Sequence, residues 1–312
     1  MELRPLGFGE IFDRAVTLYI RNIVPFVAIV MVLVLPLSLF TYVVDRISQP
    51  EYDMWWRIIQ HPTHAPPTQL PNFFTSPLYD VSLIATVLFA FIAWPFALNA
   101  VAVGVARLYG GRPVEFRACY SSVLHRWPQI LGMLGFELLI FLGWYVVTLV
   151  VAIIVVLVAA AMGALSPALA AVFGVLAVFI VLLVMLPLLG PLIVALSFGM
   201  YAIVIEGRGT VESLYLGFGR VFNRAEFWRA LLFALATMAV LFGASLIFSG
   251  IAFIAAVLHL PGLETLVQSV PNAIISPFGV VLLSVYYFDV RIRREGFDLE
   301  AALDRLTAPQ PA

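Results

Sequence analysis

Residues 129–163 read QILGMLGFELLIFLGWYVVTLVVAIIVVLVAAAMG, a run in which Glu137 is the only Asp, Glu, Lys or Arg. About 20 predominantly apolar residues suffice to cross a bilayer as a helix, so this run alone reads as a membrane span. Working outward in both directions, 22–44, 80–106, 168–205, 227–258 and 266–288 have the same character. The reading is therefore a six-span, all-α integral membrane protein. Composition agrees: 63% of the 312 residues are hydrophobic, 11% are charged and the mean hydropathy is +1.05. Soluble globular domains carry about a quarter charged residues.

All 17 basic residues are Arg, which reads as a coding bias rather than chemistry. Their placement is more informative. Arg4, Arg14 and Arg21 precede span one; Arg107, Arg112, Arg117 and Arg126 lie between spans two and three. Arg208, Arg220, Arg224 and Arg229 lie between four and five, and Arg291, Arg293, Arg294 and Arg305 follow span six. The opposite side holds only Arg46 and Arg57. Cytoplasmic loops are the Arg-rich ones, so the chain is expected to be N-in and C-in. The formal charge of −1 hides this asymmetry. Glu2, Glu10 and Asp13 ahead of a long span one do not resemble a cleaved signal, so span one reads as a signal-anchor. The single Cys119 reads as a small hydrophobe on an amphipathic cytoplasmic helix.

Each pair of spans is introduced by a short segment with one apolar spacing. Phe8, Ile11, Phe12, Ala15, Val16 and Tyr19 fall at i, i+3, i+4, i+7, i+8 and i+11, the pattern of a one-faced helix. Phe116, Cys119, Tyr120, Val123, Leu124 and Trp127 repeat it, as do Val211, Leu214, Tyr215, Phe218, Gly219 and Phe222. Such helices are expected to lie in the cytoplasmic interface with their aromatic face toward acyl chains. The expected architecture is one membrane domain over 1–312. It comprises three units of interfacial helix plus two spans, 1–106, 107–206 and 207–288, and a tail at 289–312. These are parallel rather than inverted repeats, which weakens an alternating-access reading. The large external loop is expected at 45–77, where Trp55 and Trp56 suit interface anchors and Pro62, Pro66, Pro67, Pro71 and Pro77 preclude a continuous helix.

Glu137 is the sharpest candidate for chemistry. It stands eight residues into span three, about 12 Å below the interface at ~1.5 Å per residue. A central acid costs roughly 2.5–3.5 kcal/mol to insert, so it is expected to face a partner or to titrate to neutral. Arg107 ends span two on the same side, and Asn99 lies two turns further in. Two roles stay open for Glu137, an interhelical lock and a ligand or proton site. Pro187 and Pro191 in span four, and Pro271 and Pro277 beside Gln268 and Asn272 in span six, suggest helix breaks lining a polar site. His61 and His64 read as part of a solvated loop. No phosphate loop, nucleophile elbow or zinc-helix motif occurs, and no metal or cofactor is expected.

Three stretches together resemble a known family. RPLGFGEIFDRA at 4–15, running on through Leu18 to Asn22, is similar to the opening of the glycerophosphoryl diester phosphodiesterase membrane domain and its stand-alone bacterial relatives. Glu206-Gly207 with Val211-Glu212-Ser213-Leu214 and Phe227-Trp228-Arg229 resembles its internal motif, though poorer in Arg. YYFDVRIRREGFDLE at 286–300 resembles its closing motif, the most specific of the three. The resemblance implies a multi-span helical membrane domain. The catalytic barrel of fused members has no counterpart in the 24 residues after 288, so their activity does not carry over. The expectation is thus a non-catalytic, multi-pass protein of the bacterial inner membrane, a scaffold or accessory subunit of an envelope or lipid-handling complex. Its expected partners are the lipid bilayer and other membrane proteins, with no nucleic acid. The alternative is a transporter of a small solute or lipid that uses Glu137 and the proline-marked spans.

Overall fold

The computed structural model describes residues 4–60, 77–164, 166–257 and 263–296. Among these residues there is no strand. Ten α-helices occur among them: α1 (Phe8–Arg21), α2 (Ile23–Gln60), α3 (Pro77–Leu88), α4 (Trp94–Tyr109), α5 (Phe116–His125), α6 (Trp127–Gly163), α7 (Pro167–Tyr201), α8 (Thr210–Val221), α9 (Phe227–Val257) and α10 (Leu263–Glu295). π-helical turns at Phe89–Ala93 and Ala202–Glu206 lead into α4 and follow α7. Among the described residues six helices are long and apolar enough to cross a membrane: Ile23–Phe40, Ile84–Tyr109, Trp127–Gly163, Pro167–Glu206, Phe227–Gly250 and Ala273–Glu295. These coincide with the six stretches read from the sequence, because the length of an apolar run and its bounding Arg residues are local properties.

Local chemistry sets the ends. Pro128 and Pro167 lie in the first turns of α6 and α7, where proline's fixed φ suits a helix and its missing N–H costs nothing. Gly207 adopts φ +79° just past the second π turn. Its N–H and that of Arg208 return to the carbonyls of Ile203 and Ala202 at 3.2 Å each, closing the helix end.

Packing divides the chain into two compact units. The first comprises Met1, Gly9–Leu124 and Val240–Val285; the second comprises Glu2–Phe8, His125–Ala239 and Tyr286–Ala312. These groupings cut across the sequential repeats. In the first unit α2 packs against α3 and α4, and the Tyr19 and Tyr120 hydroxyls donate to the carbonyls of Ile274 (2.5 Å) and Ile29 (2.7 Å). In the second, α7 packs against both α6 and α8. Along α6 and α7, Leu139, Val156, Val175 and Phe179 are exposed. An apolar surface of that extent needs a cover other than water.

Four expectations are corrected. Helix α7 runs unbroken through Pro187 and Pro191, and α10 through Pro271 and Pro277. Each proline removes one helical hydrogen bond, and in a long helix the flanking bonds keep the axis continuous. Helix α2 continues to Gln60, through much of the expected external loop; His61, His64 and the remainder of that loop lie outside the described residues. The apolar stripe of α1 is partly turned into protein, with Ile11, Ala15 and Tyr19 buried and Phe8 and Val16 exposed. On α5 Cys119 and Val123 are buried while Phe116, Leu124 and Trp127 of the same stripe are exposed. Periodicity states which residues share a face, not what covers it. On α8 Val211, Tyr215 and Phe222 of the stripe are exposed, and the opposite side, Ser213, Gly217, Arg220 and Val221, is buried.

Candidate functional site

The inward side of α8 explains how a charge comes to be buried. A Cβ on Gly217 would collide with the Ala195 carbonyl and would lie 2.8 Å from the Gly199 nitrogen, so α8 meets α7 backbone to backbone. One turn on, Arg220 enters the interior with its side chain 5% exposed. Glu206 waits there, its side chain 7% exposed. The π turn inserts an extra residue before Glu206 and so changes the direction in which its carboxylate leaves the helix. Arg126 donates to the Gly207 carbonyl at 2.9 Å and fixes the turn from α6.

Helix α10 completes the arrangement with two stripes. Tyr287, Arg291 and Glu295, at i, i+4 and i+8, share one face. Arg220 Nη1 lies 2.8 Å from Glu206 Oε1 and donates to the Tyr287 hydroxyl at 3.0 Å, and that hydroxyl donates to Glu206. Arg220 Nε and Nη2 reach Glu295 Oε1 at 2.7 and 2.6 Å. Arg291 Nε lies 3.3 Å from Glu206 Oε1 and donates to Glu295 Oε2 at 3.0 Å. Phe198 and Tyr201 close on the Tyr287 ring edge-to-face at 5.1 and 5.5 Å. Burial alone would lower the Arg220 pKa, but the hydrogen bond to Glu206 and the charges of Glu206 and Glu295 raise it above its ordinary value.

The second stripe holds Tyr286, Asp289 and Arg293. Asp289, its side chain wholly buried, receives Arg229 Nη2 at 2.5 Å and Arg293 Nε at 3.0 Å on one oxygen, and the Leu6 N–H at 2.6 Å on the other. The Leu6 carbonyl accepts from Arg229 at 3.3 Å and from Arg293. The main chain of one residue of the opening segment is thus held through both its N–H and its carbonyl. Tyr286 stacks on Phe233 at 4.2 Å and its hydroxyl donates to Glu226 at 3.5 Å; Glu226 lies 3.6 Å from Arg229. Removing one partner from a buried pair costs about 3–5 kcal/mol, because a desolvated charge is left behind. These contacts are therefore interdependent.

Of the residues singled out from the sequence, Glu137 lies half-buried on α6 in the second unit. Among the described residues no hydrogen bond or ion pair engages it. Asn99 and Arg107 belong to the first unit. Asn99 Nδ2 donates to the Pro95 carbonyl at 2.9 Å, and its buried Oδ1 has no partner among the described residues. Arg107 lies 3.4 Å from Glu115 and donates to the Pro113 carbonyl at 3.0 Å. Gln268 and Asn272 fall on α10, but their side chains lie outside the described set. Cys119 is buried, and that burial pushes its thiol up against the opposing pull of Arg107.

Sequence reasoning passed over Glu206, Asp289, Arg220 and Arg229 as sites, although it quoted Glu206, Asp289 and Arg229 within family-like stretches. The available signal was an acid at the last turn of an apolar span with Arg residues nearby. All three of those stretches contribute to the cluster: Leu6 from the first, Glu206 and Arg229 from the second, and Tyr286 to Glu295 from the third. Among the described residues no group of three or more His, Cys, Asp or Glu is placed to hold a metal ion. No family model, curated protein or solved structure matches the chain.

Proposed function

We propose that the chain is a non-catalytic, multi-pass protein of the bacterial inner membrane, N-in and C-in, acting as a scaffold or accessory subunit of an envelope or lipid-handling complex. The observation that carries this reading is the pairing of charges within the buried cluster. Glu206, Asp289, Arg220 and Arg229 are each engaged by opposite charge within the fold. Catalytic carboxylates are usually held open toward a substrate, whereas carboxylates paired with arginines of the same fold hold helix ends in one arrangement. Further support comes from six helices long enough to cross a membrane and from the placement of Arg at their ends. A second reading, a transporter of a small solute or lipid, is favoured by Glu137, which no hydrogen bond or ion pair engages among the described residues.

The test is extraction of the full chain from native membranes in mild detergent, with native electrophoresis and mass spectrometry of the band. The expected result is a complex with a second membrane protein at fixed stoichiometry. A chain that migrates alone, and that on reconstitution by itself drives pH-dependent solute flux abolished by Glu137→Gln, would replace the scaffold with the transporter.

A further inference from the structure

The passage from α8 into α9 is a short turn closed by one side chain. Asn223 Oδ1 accepts the N–H groups of Ala225 and Glu226 at 3.2 and 3.1 Å, and its Nδ2 donates to the carbonyls of Gly219 and Arg220 at 3.3 and 3.0 Å. Aromatic rings run through the turn in sequence. Phe218 stacks on Phe222 at 5.3 Å, Phe222 meets Phe227 at 5.9 Å, and Phe227 meets Trp228 at 5.5 Å. Even so, Phe222 and Trp228 are 44% and 65% exposed, and Tyr215 on α8 is 76% exposed. Two exposed guanidiniums border these rings. Arg224 lies in the turn itself. Arg294, from the last turn of α10, donates to the Gly219 carbonyl at 2.8 Å, and Gly219 is on the exposed side of α8 with Tyr215 and Phe222. Among the described residues no carboxylate pairs with either cation. The acids nearby are engaged elsewhere: Glu212 by Arg208 at 2.9 Å, Glu226 by Arg229 at 3.6 Å and Glu295 by Arg220 at 2.6 Å.

Exposed rings with cations beside them suit the boundary between acyl chains and headgroups, and Arg without a carboxylate at that level attracts anionic headgroups. The level follows from the helices themselves. The apolar stretch Phe227–Gly250, long enough to cross a membrane, starts at this turn, and Ala273–Glu295 ends beside it, so rings and guanidiniums stand at the ends of two such stretches. We infer that the α8–α9 turn and the end of α10 form a seat for anionic phospholipid, with Tyr215, Phe222 and Trp228 against the acyl boundary and Arg224 and Arg294 on the phosphodiesters. A zwitterionic headgroup brings its own ammonium toward the two guanidiniums and gains less. The inference rests on the membrane reading proposed above and adds to it the lipid class and the residues that select it.

The experiment places a bimane fluorophore at position 215 of the full chain through Tyr215→Cys in a Cys119→Ala background. The chain is reconstituted into phosphatidylcholine vesicles holding a fixed minor fraction of phosphatidylglycerol. Acyl bromine is carried either by the phosphatidylglycerol or by an equal fraction of the phosphatidylcholine, and quenching reports which lipid touches α8. Brominated phosphatidylglycerol is expected to quench more, corresponding to a local enrichment of about fivefold per guanidinium, and the excess is expected to fall as salt is raised. Arg224→Gln with Arg294→Gln is expected to remove the excess and leave quenching by brominated phosphatidylcholine unchanged. Should the double variant purify poorly, Arg224→Gln alone breaks no contact among the described residues and is expected to lower the enrichment about fivefold. Equal quenching by the two lipids, or an excess that survives loss of the guanidiniums, overturns the inference. Quenching by neither lipid means that protein covers this face, and overturns it too. A chain that does not fractionate with membranes overturns the membrane reading as well, whereas equal quenching in a chain that does so overturns the seat alone.

Discussion

At the residue scale the decisive group is Asp289, which neutralises Arg229 and Arg293 while accepting a main-chain N–H from Leu6. Asp289→Ala is expected to cost about 3–5 kcal/mol, read as a lowered thermal midpoint in detergent, since it strands two cations and an N–H. Asp289→Asn keeps an acceptor for Leu6 and loses only the charge. If charge compensation dominates, the Asn variant falls near Ala rather than near wild type; a midpoint close to wild type would assign the role to the hydrogen bond. Cys119 gives a pH test. Only the thiolate alkylates, and burial pushes this thiol up. Alkylation by iodoacetamide at pH 8.5 is therefore expected to be far slower than for a free cysteine, with its rise moved to higher pH. Rapid labelling at neutral pH would contradict the buried placement of α5.

At the scale of elements, α8 carries the clearest expectation. Gly217 meets the α7 backbone, whereas a Cβ on Gly219 would find nothing within 4 Å. Gly217→Ala is expected to destabilise by about 1–3 kcal/mol through overpacking, or more if the helices must part. Gly219→Ala is expected to be neutral, or to stabilise by up to ~1 kcal/mol through helix propensity. Two similar thermal midpoints would mean that α8 does not approach α7 this closely. The three short helices also show why a shared pattern does not imply a shared environment. Residues at i, i+3, i+4 and i+7 lie together on any helix, yet α1 buries Ile11, Ala15 and Tyr19 of that face while α8 leaves Val211, Tyr215 and Phe222 of it exposed. The difference comes from the opposite face: α8 has Ser213 and Gly217 there, small enough for close packing, and Arg220 with carboxylates to meet.

At the scale of the whole molecule, the fifteen-to-two split of Arg residues predicts cytoplasmic activity for a reporter fused at the C-terminus and exterior activity for one placed within 164–167. An exterior C-terminus would exclude the N-in, C-in arrangement. The sequence by itself determined the helices: six long apolar runs and three short amphipathic segments stand where they were read, because each depends on residues within a few turns. It also marked Glu137, an acid visible as an interruption of an apolar run. Only the tertiary structure decided which charges meet. Glu206 is 14 residues from Arg220 and 81 from Tyr287, and Asp289 is 283 from Leu6. Such acids, standing at the ends of spans beside many Arg residues, look like ordinary flanking charges in one dimension. Burial distinguishes them, and burial depends on how distant helices pack: the backbone approach of α8 to α7 and the turn at Glu206 bring Arg220 and its carboxylate together out of water.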